Sequence, residues 1–355
     1  MAAAASDNTE HAAHPPAHAM PRRALGRSGI EVTALGLGGA AIAGLYRPVD
    51  EDSAAATVEA AWDVGIRYFD TAPHYGLGVS ERRLGAVLRT KSRSQYVIST
   101  KVGRLLEPYD AEGSDTGSAT GSDLANGFAV PATHRRVWDF SADGVRRSLE
   151  ESLTRLGLDR IDLALIHDPD DHGEQAFHEA YPALERLRSE GMVGAIGAGM
   201  NQTAMLTRFL IDTDVDAVLC AGRYTLLEQP ALAELLPAAA NRGKSVIIGG
   251  VLNSGILAHP VPGATYNYSA APGELLERAL RMREVTEAYG VPLRAAALHF
   301  PFGHPAVASV LTGARSAAEV RDAATLLNAP VPADAWDRLR KEALLPRHVP
   351  VPEAR

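Results

Sequence analysis

The sequence predicts an α/β fold, a (β/α)8 TIM barrel with an N-terminal hairpin plug and a long loop after strand 3. Three observations predict it. Eight short apolar runs recur along the chain, a helix-like amphipathic stretch follows each, and residues with acid–base chemistry fall at the ends of the runs. A doubly wound sheet is the competing layout. Gly36-Leu37-Gly38-Gly39, after the first run, has the wrong spacing for its dinucleotide fingerprint.

The apolar runs are 34–38, 67–70, 96–101, 161–167, 194–199, 217–221, 245–249 and 307–312. The helix-like stretches are 52–64, 80–88, 142–156, 174–189, 202–211, 231–241, 274–289 and 317–327. Arg23–Leu25 and Glu31–Thr33 flank Gly26-Arg27-Ser28-Gly29 and read as the hairpin plug. Residues 104–139 form a Gly/Ser/Asp-rich insertion without periodicity, a length that signals function or disorder. A closing helix is expected over 332–344. The expected organisation is a disordered tail over 1–21, the barrel over 22–345 and a C-terminal tail over 346–355.

Composition narrows the function classes. The chain has 355 residues, 46% apolar and 22% charged, which is ordinary for a globular protein. A net charge of −8 argues against a nucleic-acid partner, which needs a basic face. The single cysteine, Cys220, excludes an internal disulfide and a Cys-based zinc cluster. No apolar run approaches the ~20 residues of a membrane span, and the N-terminus lacks the apolar core of a secretory signal. The expected location is therefore cytoplasmic. His11, His14 and His18 with Glu10 read as low-complexity tail rather than a metal site.

Barrels of this kind place their reactive residues at the C-terminal ends of the strands. That rule brings Asp70, Tyr75, Lys101 and His167 to one mouth. A phenol titrates near ~10 and is a poor acid or base at neutral pH. A nearby ammonium is expected to lower that value, a carboxylate to hold the ammonium, and a neutral imidazole to orient an oxygen. The set suits proton exchange with an alcohol or carbonyl oxygen while a hydride moves. It requires no metal. Singly, each residue also has an ordinary role as a solvated charge, a turn cap or a core polar group.

Gly65-Ile66-Arg67-Tyr68-Phe69-Asp70-Thr71-Ala72, continuing to Tyr75-Gly76 and Ser80-Glu81-Arg82-Arg83-Leu84-Gly85, resembles the signature of the aldo-keto reductase family. Ile98-Ser99-Thr100-Lys101-Val102-Gly103 and Leu165-Ile166-His167-Asp168 are similar to that family's other catalytic segments. The resemblance covers essentially residues 22–344 and implies that Tyr75 is the general acid/base. It implies that Asp70 and Lys101 tune the phenol and that His167 orients the substrate oxygen. Leu156-Gly157-Leu158-Asp159-Arg160-Ile161-Asp162 and Ala221-Gly222-Arg223-Tyr224-Thr225-Leu226-Leu227 resemble the D-threo-aldose 1-dehydrogenase subgroup, which includes L-fucose dehydrogenases. These oxidise C1 of an aldose to a lactone, and pyridoxal 4-dehydrogenases share the pattern.

The same resemblance implies NAD or NADP, with a lean to NAD. Cofactor contacts would fall on Gly39, Asn201, Tyr224, the loop Gly250-Val251-Leu252-Asn253-Ser254, and Gly313, Arg315 and Glu319. Asn201 would hold the carboxamide. Ala221 and Gly249 stand where the family has a glutamine and a stacking aromatic, which leaves Tyr224 as the candidate ring. Arg315 favours a 2′-phosphate, whereas Glu319 favours a free ribose hydroxyl. Tyr46, Trp138 and Asp168 are the candidate sugar contacts, and Tyr266-Asn267-Tyr268 a candidate lid. The expected partner is a small sugar or aldehyde, and no feature speaks to oligomeric state. An aldehyde reductase, a nucleotide-sensing regulatory subunit and a metal-dependent barrel lyase are the competing readings.

Overall fold

The computed structural model describes residues 20–109, 121–267 and 269–353. The strands in chain order are β1 (Arg22–Ala24), β2 (Glu31–Thr33), β3 (Leu35–Gly38), β4 (Tyr68–Asp70) and β5 (Val97–Val102). They continue as β6 (Arg104–Pro108), β7 (His134–Trp138), β8 (Ile161–His167), β9 (Val193–Met200) and β10 (Ala217–Ala221). The last are β11 (Ser245–Gly249), β12 (Thr265–Tyr266), β13 (Ser269–Ala270) and β14 (Val307–Gly313). Among the described residues, β3, β4, β5, β8, β9, β10, β11 and β14 close into a parallel barrel. Every barrel strand coincides with one of the apolar runs. They read as runs because a parallel strand is covered on both faces: β5 and β8 are buried throughout.

Side chains alternate between the two faces of a strand, and this parity builds the site. Tyr68, Val97, Leu163, Leu165, Leu219 and Ile247 pack together inside the barrel, while Ile98, Ala164 and Ile166 join the outer core under the helices. Two positions beyond Tyr68 is Asp70, two and four beyond Val97 are Ser99 and Lys101, and two beyond Leu165 is His167. The inward rows thus end in polar groups at the C-terminal mouth. At the other end Leu25 and Val32 of the β1–β2 hairpin join the same interior cluster, so the hairpin is the plug.

The helices follow the predicted stretches closely. Ala142–Leu156 is capped by Ser141 Oγ, which accepts from Gly144 N–H, and ends at Gly157 in the left-handed conformation. Two stretches are less regular than expected. The 174–189 stretch contains a π turn over Ala176–Ala180, and the 231–241 stretch starts as a 3-10 turn before the helix Leu235–Arg242. The helix Leu293–His299 was not expected. The 104–139 insertion is neither loop nor disorder at its ends: β6 and β7 pair antiparallel, with Arg104 opposite Trp138. The residues of 110–120 and Tyr268 lie outside the description, as does nearly all of the 1–21 tail.

Gly103 joins β5 to this hairpin with φ +104, and a Cβ there would overlap the buried Phe140 ring. Gly103→Ala is expected to cost about 1–3 kcal/mol by overpacking, read as a lower urea midpoint at unchanged m-value.

Candidate active site

The motif after β4 supplies fasteners around the mouth. Thr71 Oγ1 donates to Ser80 Oγ at 2.7 Å, and fully buried Glu81 accepts from Thr100 Oγ1 at 2.9 Å and from Arg155 Nε. These contacts fix the turn that carries His74 and Tyr75 against β5.

At the mouth, Lys101 Nζ donates to Asp70 Oδ2 at 2.7 Å and to the Thr71 carbonyl at 2.9 Å. Ser99 Oγ donates to Asp70 Oδ1 at 2.7 Å and lies 3.0 Å from Tyr68 Oη, which is left as the donor of that bond. Lys101 Nζ stands 4.7 Å from the centre of the Tyr75 ring. The His167 ring is perpendicular to Tyr75, with centroids 5.9 Å apart. Asp70, Tyr75, Lys101 and His167 therefore come together as the strand-end rule predicts.

Their electrostatics depart from the expectation in one respect. Burial pushes the Tyr75 phenol up to about 12; Lys101 pulls it down and Asp70 pushes it up. The ammonium alone does not bring the phenol below its ordinary value, because desolvation outweighs it. Burial also opposes the charge on Lys101, but Asp70 and Tyr75 together hold its pKa above the usual value. Burial, then Arg104, Lys101 and His74, keep His167 well below the ordinary imidazole range. It is a neutral ring with its Nδ1 buried and unpartnered.

The insertion supplies a wall that the motifs did not reveal. Phe128 packs edge-on to His74 at 5.4 Å, and His74 lies 5.8 Å from His167. Arg136 donates to the His74 carbonyl at 2.9 Å while both its terminal nitrogens bind Asp123. Burial, Arg104, Arg136 and Lys101 lower the His74 imidazole to about 2. Arg104 pairs with Asp168, and its guanidinium lies 4.2 Å from the centre of the Trp138 ring. No hydrophobic period marks these residues, since their partners are set by the hairpin's docking.

Two cavities open on this site. A cleft of about 670 Å³ reaches from Asp70 and Tyr75, past Leu219, Ala221 and Gly249, to Arg315 and Glu319. A second, of about 380 Å³, is lined by Arg104, Trp138, Asp168, Asn201 and Gln202 among others. Trp138 and Asp168 thus line one cavity, while Tyr46 lines the long cleft.

The long cleft suits a dinucleotide. Gly250, Val251, Leu252 and Ser254 line it, and Gly250, Asn253, Ser254 and Gly255 all have positive φ. Two successive non-glycine residues in that region are costly, a strain typical of ligand clamps. Turns of this kind also aim backbone N–H groups at an anion. The Asn253 amide is buried with both its nitrogen and oxygen unpartnered, behind the lining rather than in it. Gly313 lines the far end, where Ser316 Oγ caps the helix Ala317–Asn328 and Glu319 accepts the Arg315 N–H at 2.8 Å. Arg294 and Asp322, absent from the sequence reading, line the same end and pair at 3.2 Å.

Besides Asn253, three expected cofactor contacts are placed elsewhere. Tyr224 has no exposed surface and packs on Phe300 at 5.0 Å, so its ring offers no face to a ligand. Gly39 donates to the Asp70 carbonyl at 2.7 Å, and a Cβ there would overlap Ser80 Oγ. Its lack of a side chain serves helix packing; neighbouring Gly38, Ala40 and Ala41 line the cleft instead. Asn201 lines the second cavity and not the long one. Among the described residues no cluster of His, Cys, Asp or Glu is arranged to hold a metal, and no helix is long and apolar enough to cross a membrane.

Comparison with known proteins agrees with this architecture. The Aldo/keto reductase family model matches residues 34–343. A D-threo-aldose 1-dehydrogenase from a Pseudomonas species is 45% identical over 322 residues, covering 90% of this chain and 96% of that protein. A pyridoxal 4-dehydrogenase from Microbacterium luteolum is 42% identical over 338 residues, covering 92% and 98%. Among solved structures, an aldo-keto reductase from Bacillus halodurans in its holo form superposes with a TM-score of 0.72 at 25% identity, covering 93% and 98%. With the barrel, the cleft and these matches in hand, the chain belongs to the aldo/keto reductase family and is an NAD(P)-dependent oxidoreductase.

Proposed function

We propose that the protein oxidises C1 of an aldose of the L-fucose or D-arabinose type to the lactone, with NAD. The observation that carries this is that two cavities flank one polar cluster, the long cleft bounded by Asp70 and Tyr75 and the smaller one by Arg104 and Asp168, next to His167. Tyr75 borders the long cleft, and the smaller cavity beyond His167 combines an indole, a guanidinium, a carboxylate and an amide. The exposed part of the Trp138 ring, which Arg104 and His172 flank, and the hydrogen-bonding groups beside it suit a sugar ring. The similarity to an aldose dehydrogenase supports the same reading.

Bound nicotinamide supplies the hydride acceptor. Within the chain, Tyr75 as phenolate takes the C1 hydroxyl proton as hydride leaves the same carbon, which closes the C=O of the lactone. Lys101, held by Asp70, stabilises the phenolate, and the neutral His167 ring orients the hydroxyl oxygen. Glu319 and Asp322 flank the adenosine end of the cleft, and Asp322 is already paired with Arg294. Arg294 and Arg315 line the same end, so the reading rests on Glu319. Its carboxylate, which accepts the Arg315 N–H, can also accept from a free ribose 2′-hydroxyl and would repel a 2′-phosphate, which supports NAD.

The test is absorbance of reduced nicotinamide with L-fucose, D-arabinose and pyridoxal, each against NAD and NADP. A rise with either sugar and NAD is expected. A rise with pyridoxal alone would replace the substrate by that of the second relative. A preference for NADP would overturn the role of Glu319 and assign the 2′-phosphate to Arg315.

A further inference from the structure

One buried cation in the site has no part in proton or hydride transfer. Arg104, the first residue of β6, is 8% exposed and reaches across to Asp168, immediately after β8. Asp168 has φ +42, an unfavourable backbone for a non-glycine residue, and its Oδ2 stands 3.5 Å from His167 Nε2. The same oxygen receives the Arg104 guanidinium, whose position is further held by the Trp138 ring.

We propose that Arg104 is a positioning residue that captures the Asp168 carboxylate and so keeps the adjoining His167 ring uncharged. A carboxylate this close to an imidazole would otherwise favour the imidazolium. The groups facing His167 are Lys101 from β5, Arg104 from β6, His74 and Tyr75 from the turn after β4, and Asp168 itself. Among the described residues, Asp168 is the carboxylate within ion-pair distance of the ring, and Arg104 is its partner. An uncharged ring matters for the proposed reaction because hydride loss leaves positive charge on C1, which an imidazolium would oppose. This inference rests on His167 as the group that orients the substrate oxygen.

The direct readout is the nitrogen NMR titration of His167 in the full-length protein without substrate, assigned by comparison with His167→Gln. In the unaltered protein the ring is expected to stay neutral throughout the ordinary imidazole titration range. Arg104→Met removes the guanidinium and leaves the carboxylate, so the His167 midpoint should rise by about 1–3 pH units. Arg104→Gln, which keeps a donor but no charge, should move it the same way and serves if the first variant does not fold. Adding Asp168→Asn to either variant should return the ring to neutral.

In turnover, the single variants should gain an acid limb in kcat/KM that the double variant lacks. A His167 that stays neutral in both single variants, or a double variant that titrates like its parent, would overturn the proposal. A protein that oxidises neither sugar would overturn the substrate reading alone, since the titration needs no substrate.

Discussion

Tyr75→Phe is expected to lower kcat by about 10²–10⁴-fold while NAD binding and fold stability stay near those of the unaltered protein. The ring keeps its contacts with Phe128 and His167, and only the hydroxyl is lost. No neighbouring group can take over its proton transfer: His167 and His74 are neutral rings pushed down by burial, and Lys101 is held as an ammonium by Asp70. Turnover is measured at saturating sugar and cofactor binding by fluorescence quenching. Undiminished kcat would eliminate the phenol as the acid/base.

The pH dependence follows from the same group. With its pKa raised to about 12, the unliganded phenol keeps its proton at neutral pH. Oxidation needs the deprotonated form, so oxidative turnover should climb with pH through the neutral and alkaline range. The reverse reduction, which needs the protonated form, should not share that rise.

Lys101→Met is expected to be the most destabilising single change in the site. Among the described residues it leaves the buried Asp70 carboxylate with Ser99 as its side-chain hydrogen-bond donor, and breaking a buried pair from one side costs about 3–5 kcal/mol. Activity should fall with it, since Tyr75 loses the cation that favours its phenolate. The double variant Lys101→Met/Asp70→Asn should recover much of the stability and none of the activity. Urea unfolding and kcat on the three proteins check this. A single variant as stable as the unaltered protein would mean that the pair is solvated, contrary to its burial.

The barrel was legible because parallel strands covered on both faces write themselves as continuous apolar runs. The strand-end residues Asp70, Lys101 and His167 were legible for a related reason: each lies an even number of positions beyond an inward-facing apolar residue. The helix Leu293–His299 is not legible in the sequence because Leu293, Ala295, Ala296, Ala297 and Leu298 are all buried, so it carries no one-sided stripe.

By itself, then, the sequence determined the strand count, the order of the elements and the inward rows that carry three of the four polar groups. It did so through periodicity, which is local. The tertiary structure alone decided that β6 pairs with β7, that Arg104 meets Asp168 across 64 positions, and that Arg136 grips the His74 carbonyl across 62. It also decided that Tyr224 turns into the core and that burial overrides Lys101 at the Tyr75 phenol. Each of these depends on which surfaces meet and how much water they exclude, quantities that no repeat along the chain encodes.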